Sequence, residues 1–317
     1  MQQSILLGKT IFLISFCGKV LESEALKPSE GPNLVIKSIM LYLWNKNYFM
    51  AYNLLKGKRG IITGALDENS IAWKVALRAH EEGATFVLTN APIAMRMGEI
   101  NKLAEQTGSK IIPADATSME DLEKLYTDSM AHLGGKMDFV LHSIGMSVNI
   151  RKNIPYTELN YDFFQKGIDV SALTLHRMLA MAHKLDALNE HASVVALTYI
   201  AAQKVYPFYT DMADIKAMLE SIARTFGYHY GKHKKVRINT VSQSPTKTTA
   251  GGGIKGFTDF FDYAQMQSPL GNASAEDCAN YCVTLFSDLT RMVTMQNLYH
   301  DGGYSSTGVS TEQLTGK

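Results

Sequence analysis

Tyr209 and Lys216 stand seven residues apart, and Tyr199 stands ten residues before Tyr209. Seven residues span close to two turns of an α-helix, so a helix through this stretch sets the phenol and the amine on one face. A positive charge beside a phenol eases its ionisation. The same hydroxyl can donate a hydrogen bond to an oxygen on which negative charge develops, as a hydride acceptor conjugated to a carbonyl requires. The amine can meanwhile hold the ribose hydroxyls of a nicotinamide cofactor. Tyr209, Lys216 and Tyr199 are therefore the candidate catalytic residues, and hydride transfer is the candidate chemistry.

Such chemistry needs a dinucleotide site, and four segments could build one. The first is Thr63-Gly64-Ala65-Leu66-Asp67-Glu68-Asn69-Ser70-Ile71-Ala72. Gly64 lets a pyrophosphate approach the backbone, and Ser70 and Ile71 open a helix, with Ser70 expected as its N-cap. Only Gly64 remains of the three glycines in the usual fingerprint. Asp115 and Ala116 form the second segment, with the acid placed to meet the adenine amine. Ser143, Ile144 and Gly145 form the third, where Gly145 would let the backbone lie close to a ribose. Asn239 and the run Ser242-Gln243-Ser244-Pro245-Thr246 make the fourth. The 2′ position would be read at Thr89-Asn90-Ala91-Pro92, which offers neither an acid for a free hydroxyl nor an adjacent arginine for a phosphate. NADH is the preferred cofactor, with NADPH left open.

Positioning these residues falls to an alternation of short β-rich runs with longer amphipathic ones. Strands are expected at 60–63, 85–89, 110–114, 139–142, 193–197, 237–241 and 297–300. Helices are expected at 70–82, 94–107, 119–133, 161–188, 211–230 and 275–286. That order implies βαβ units in an α/β fold, a single Rossmann-like doubly wound parallel sheet of about seven strands with helices on both faces. Its ligands would bind at the carboxyl ends of the strands.

Composition narrows the rest. The 317 residues carry 31 Lys and Arg against 30 Asp and Glu, so no strongly basic field exists to hold a nucleic acid. No apolar run is long enough for a transmembrane helix. Three cysteines (Cys17, Cys278 and Cys282) suit neither a disulfide framework nor a metal site. A cytoplasmic protein is the expectation. Residues 1–49, with five lysines and three glutamates, lack an ordered apolar period and read as a weakly ordered extension. Within them, residues 11–17 have the look of a short secretory or lipoprotein signal core. Only Lys9 precedes that core as a charge, and Phe16 stands where a small residue is wanted before Cys17, which favours the extension. Residues 50–317 read as one NAD(P)-binding reductase domain.

The spacing of these residues resembles the FabI-type enoyl-[acyl-carrier-protein] reductases of the short-chain dehydrogenase/reductase superfamily. That family carries Tyr-x6-Lys with a second tyrosine ten residues upstream, as do Tyr209, Lys216 and Tyr199. Its nucleotide turn, Gly-x5-Ser-Ile-Ala, is matched by Gly64 with Ser70, Ile71 and Ala72. Its His-Ser-Ile-Gly is matched by residues 142–145 and its His-Asp-Gly-Gly by residues 300–303. The resemblance spans residues 54–305. It implies reduction of a trans-2-enoyl thioester on acyl carrier protein, the last step of a fatty-acid elongation cycle, by a homotetramer. Tyr209 would stabilise the enolate oxygen, Lys216 would bind the ribose, and Tyr199 would line the pocket. Thr246 would offer its backbone to the carboxamide and Thr248 its hydroxyl to the phosphates. Ser244 departs from the family's glycine and would add a side chain near the nicotinamide. Residues 249–257, with three adjacent glycines, read as a mobile lid, and the basic run 228–235 as a solvated helix end, with a surface for an acidic carrier as the alternative. A ketone- or alcohol-acting member of the superfamily would instead show a serine near position 199 and a four-residue Tyr–Lys step. A silent dinucleotide sensor would have no need of Tyr209 and Lys216 together.

Overall fold

In the computed structural model, residues 15–16, 19–20, 51–96, 98–249, 251–253 and 256–315 are described. Seven strands form one parallel sheet: β1 (Arg59–Thr63), β2 (Thr85–Thr89), β3 (Lys110–Ile111), β4 (Met137–His142), β5 (Leu188–Thr198), β6 (Arg237–Gln243) and β7 (Asn297–His300). Their spatial order is β3-β2-β1-β4-β5-β6-β7, so the chain reverses direction across the sheet between β1 and β4. This is the doubly wound α/β architecture, in which ligands generally bind in the crevice at that reversal.

Alternation along each strand divides the core into two layers. Ile61, Val87, Val140, Val194 and Ile238 face one way, onto α3 (Met119–Leu133), α5 (Thr174–Lys184) and α6 (Met212–Lys234). Their neighbours Ile62, Leu88, Leu141, Val195 and Val241 face the other way, onto α1 (Ile71–Glu81) and α8 (Ala275–Phe286). There Phe139 and Phe286 stack with ring centroids 4.7 Å apart.

Several boundaries depart from the sequence reading. The expected helix 94–107 is two pieces, Pro92–Met95 and α2 (Ile100–Thr107). Between them the chain runs against the β1–α1 turn, where a side-chain carbon on Gly98 would lie 2.5 Å from Leu66 O. The expected helix 161–188 is α4 (Tyr161–Ile168), a π turn (Asp169–Leu173) and α5. Leu188 instead opens β5, whose polar start (Asn189, Glu190, His191) hides it from an apolar-run search. Formal pairing of β3 ends at Ile111, yet its ladder continues through Ile112 N to Leu88 O and Ala114 N to Asn90 O, with Pro113 having no N–H to give. An unexpected helix, α7 (Phe257–Gln267), follows the glycine-rich segment. Its signal was present: Phe257, Phe260, Phe261 and Ala264 follow the i, i+3, i+4, i+7 pattern.

Contacts divide the chain into two units, Met1–Met50 and Ala51–Lys317. In the first, Ser15–Phe16 pairs antiparallel with Lys19–Val20. Its remaining residues, including the rest of the signal-like stretch, lie outside the described residues, as do positions 250, 254 and 255 of the glycine-rich segment.

Candidate active site

Gly64 follows β1 with φ +83°, and a side-chain carbon there would lie 1.9 Å from Ser143 O. Conformation and space both demand glycine. The seam between the ends of β1 and β4 is closed again by Ser143 N, which donates to Thr63 Oγ1 at 3.0 Å. Gly64→Ala is expected to cost about 1–3 kcal/mol from backbone strain alone. It should also weaken NADH binding by forcing the seam apart. Urea melts and a cofactor titration check both; unchanged values in each would remove the seam from the site.

Ser70 occupies the N-cap position of α1 but does not cap it. Its hydroxyl donates back to Asp67 O at 2.7 Å, and the first turn holds no acid. The leading amides of α1 thus meet no capping side chain and sit at the positive end of the helix dipole, an arrangement suited to an anion. Ile71 is half-buried beneath them.

The other strand ends gather along the same edge. Asp115 is exposed, and its Oδ1 accepts from Thr117 N and Oγ1 at 2.9 and 2.7 Å, while Ala116 packs on the core. Ile144 packs inward, whereas Gly145 is exposed and open: a carbon added there would meet only Lys216 Nζ and Met212 Cε, both at 3.8 Å. Thr246 Oγ1 donates to Ser244 O at 2.9 Å, and Thr248 Oγ1 accepts from Gly251 N at 3.0 Å. Ser244 is buried with its hydroxyl accepting from Ala273 N at 3.0 Å, so the side chain serves the connection to α8. Asn239 does not belong to the crevice. It sits within β6 and is bound to Val293 O and Gln296 N.

Lys216 is 7 % exposed, and its Nζ donates to Leu197 O at 2.8 Å. Burial lowers its pKa to about 8, opposed by the charge of Glu220 one turn on. Beneath it His142 is fully buried, with Nε2 2.9 Å from Thr174 Oγ1, and burial lowers that imidazole to about 3, aided by Lys216. Tyr199 leaves β5 in extended conformation, and its ring lies 5.0 Å from that of Tyr209. The structure thus brings Tyr209 and Lys216 to the carboxyl end of β5, but not by the shared helix face expected from their spacing: α6 starts at Met212, and Tyr209 stands in the turn before it, with Thr210 at φ +34°. It corrects a second expectation: the Tyr209 phenol is pushed well above its ordinary range by burial, so the hydroxyl is held as a donor and its ionisation is not eased. Burial raises Tyr199 likewise, and its buried Oη has no hydrogen-bond partner among the described residues.

Sequence reasoning missed what surrounds these groups. Glu220 accepts from Thr198 Oγ1 at 2.9 Å and from Gln203 Nε2 at 3.0 Å, clamping the chain on both sides of Tyr199. Tyr206 and Phe260 meet edge to face at 4.9 Å, and Tyr304 stands 6.4 Å from each. The basic run 228–235 lies at the far edge of the sheet. Lys234, at the end of α6, donates to Leu188 O at the start of β5, so about 27 Å of helix separates it from Lys216. Cys278 and Cys282 are buried in the core, where their mutual hydrogen bond and burial raise the Cys278 thiol. Among the described residues, no group of three or more His, Cys, Asp or Glu could hold a metal ion, and no helix is long and apolar enough to cross a membrane.

Sheet order, the uncapped α1 and the residues at the carboxyl edge define a doubly wound protein of the dinucleotide-binding class. The sequence pattern of the Enoyl-(Acyl carrier protein) reductase family matches residues 64–305. Enoyl-[acyl-carrier-protein] reductase [NADH] 1 of Rhizobium meliloti is 31% identical over 261 residues, covering 82% of this chain and 94% of that protein. The FabI–NADH complex from Alistipes finegoldii is 60% identical with a TM-score of 0.83, covering 84% and 94% of the two chains. The crystal structure of enoyl-[acyl-carrier-protein] reductase (NADH) from Aquifex aeolicus is 31% identical with a TM-score of 0.75, covering 81% and 99%. This chain belongs to the enoyl-[acyl-carrier-protein] reductase family.

Proposed function

We propose that the protein reduces the trans-2 double bond of enoyl thioesters on acyl carrier protein, with NADH, in the last step of each fatty-acid elongation cycle. The observation that carries this reading is the meeting of Tyr209, Tyr199 and Lys216 around the end of β5, beside the open backbone at Gly145. NADH, when bound, supplies a hydride to the β-carbon of the thioester. The Tyr209 hydroxyl donates to the enolate oxygen that results, and its burial keeps the proton on the phenol for that purpose. Lys216 holds the ribose and adds positive charge. Tyr199 walls the pocket beside the thioester with its unpartnered hydroxyl.

The residues fit the cofactor in kind: the uncapped start of α1 with Gly64, Ser70 and Ile71 suits the pyrophosphate. Asp115 and Ala116 flank the adenine, Ser143, Ile144 and Gly145 the ribose, and Thr246 and Thr248 the carboxamide and phosphates. The working form is a homotetramer in the cytoplasm, and residues 50–317 suffice for the reaction.

A single assay tests the core of this reading. Full-length protein and residues 50–317 are each mixed with NADH and crotonyl thioester, and oxidation of NADH is followed. Turnover by both is expected. Reduction of acetoacetyl thioester in place of crotonyl would instead identify a ketone-acting enzyme, and cofactor binding without turnover a sensor.

A further inference from the structure

Asp211 stands at the N-cap of α6, two residues after Tyr209, and is fully buried. An aspartate in that position ordinarily accepts from the first amides of its own helix, which stabilises the helix. Here the side chain makes no such bond. Its Oδ1 accepts from Ser147 Oγ at 2.7 Å and Thr210 Oγ1 at 3.0 Å, and its Oδ2 accepts from Asn149 Nδ2 at 2.8 Å. A carboxyl group removed from water is costly unless its oxygens are satisfied, and three donors from two segments satisfy these.

Both segments matter to the site. Thr210, between Tyr209 and Asp211, has φ +34°, an uncommon conformation for a β-branched residue, and its hydroxyl is tied to Asp211. Ser147 and Asn149 belong to the chain that leaves β4 through Ser143, Ile144 and Gly145. That chain is gripped again at Met146, whose N–H donates to Ser171 Oγ at 2.8 Å and whose carbonyl accepts from it at 3.0 Å. Ser171 comes from the π turn before α5. Gly167 of α4 completes the junction: a side-chain carbon there would meet Ile215 Cδ1 at 2.7 Å and Asp211 Oδ2 at 3.7 Å.

We propose that Asp211 is a positioning residue, fixing the turn that carries Tyr209 against the segment after β4 so that the phenol keeps a set distance from the Gly145 side of the crevice. The proposal rests on the role given to Tyr209 above. Small displacements of a reacting group lower rates steeply, so loosening this junction should act on turnover more than on binding.

The test is a double-mutant cycle in the full-length protein, read as kcat and as KM for NADH with crotonyl thioester, and with circular dichroism as the control for folding. Asp211→Asn keeps the volume but turns one acceptor into a donor facing donors. It is expected to lower kcat about tenfold or more while KM for NADH stays within about threefold. Ser147→Ala, a milder change that leaves Asp211 two donors, is expected to lower kcat about threefold, and keeps the test available if the first variant does not fold. In the Tyr209→Phe background neither change should lower kcat further. Unchanged kcat in the single variants, or an equal loss with and without Tyr209, would overturn the proposal in favour of a purely structural role. Wild-type kcat in Tyr209→Phe alone would instead sink the reading of Tyr209, and this proposal with it.

Discussion

Tyr209→Phe is expected to lower kcat about 100-fold while KM for NADH changes by less than about threefold, the scale seen when one oxyanion donor is removed. The ring remains, so its packing against Tyr199 remains, and only the hydroxyl is lost. In the proposed role that hydroxyl, held protonated by burial, donates to charge that appears after hydride transfer. An interaction made at that stage, and absent with bound substrate, should appear in kcat with little change in KM. Steady-state kinetics with crotonyl thioester measure it. A variant with wild-type kcat would move the donor role to Tyr199, whose buried hydroxyl lacks a partner among the described residues.

Lys216→Ala should have a broader effect, lowering kcat/KM for NADH by about 100-fold or more through loss of a charge-assisted contact and of the fixed ribose. It would also leave Leu197 O without the donor it now has. The pH profile supplies a second signature. With its pKa lowered to about 8, Lys216 is charged below that pH and neutral above it. The wild-type kcat/KM for NADH is therefore expected to fall as pH rises through about 8, and the alanine variant should lack that limb. The same shift bears on folding. An unfolded lysine titrates near ~10.4, so burying the charged amine opposes folding below about pH 8, and that opposition fades as pH rises toward the unfolded value. A limb that persists unchanged in Lys216→Ala would assign the titration to another group.

The inner strands could be read from sequence because they are largely buried apolar runs set between amphipathic helices. β2, and helices α3 and α8, lie where that pattern places them. It failed where a different physical cue took over. The start of β5 is polar, the long helix before it contains a π turn that leaves no mark in an apolar period, and α7 was hidden behind three glycines that drew attention to flexibility.

At the site, residues that meet through local spacing could be read and those that meet through the fold could not. Tyr209 and Lys216 lie seven residues apart across the start of α6, close enough in the chain for spacing to single them out, although Tyr209 precedes the helix. Glu220, Asp211 and Tyr304 depend on partners far away in sequence, and nothing in the local pattern marks them. Ser70 shows the reverse error: the residue type suited a cap, while the turn claimed its hydroxyl first.

The end of β5 is held by α6 from two sides, at Leu197 through Lys216 and at Thr198 and Gln203 through Glu220. Phe260, by contrast, reaches the same tyrosines from α7, a separate helix beyond the glycine-rich segment. Substitutions in α7 would therefore change what borders Tyr199 and Tyr206 while leaving in place the hydrogen bonds by which α6 grips the end of β5.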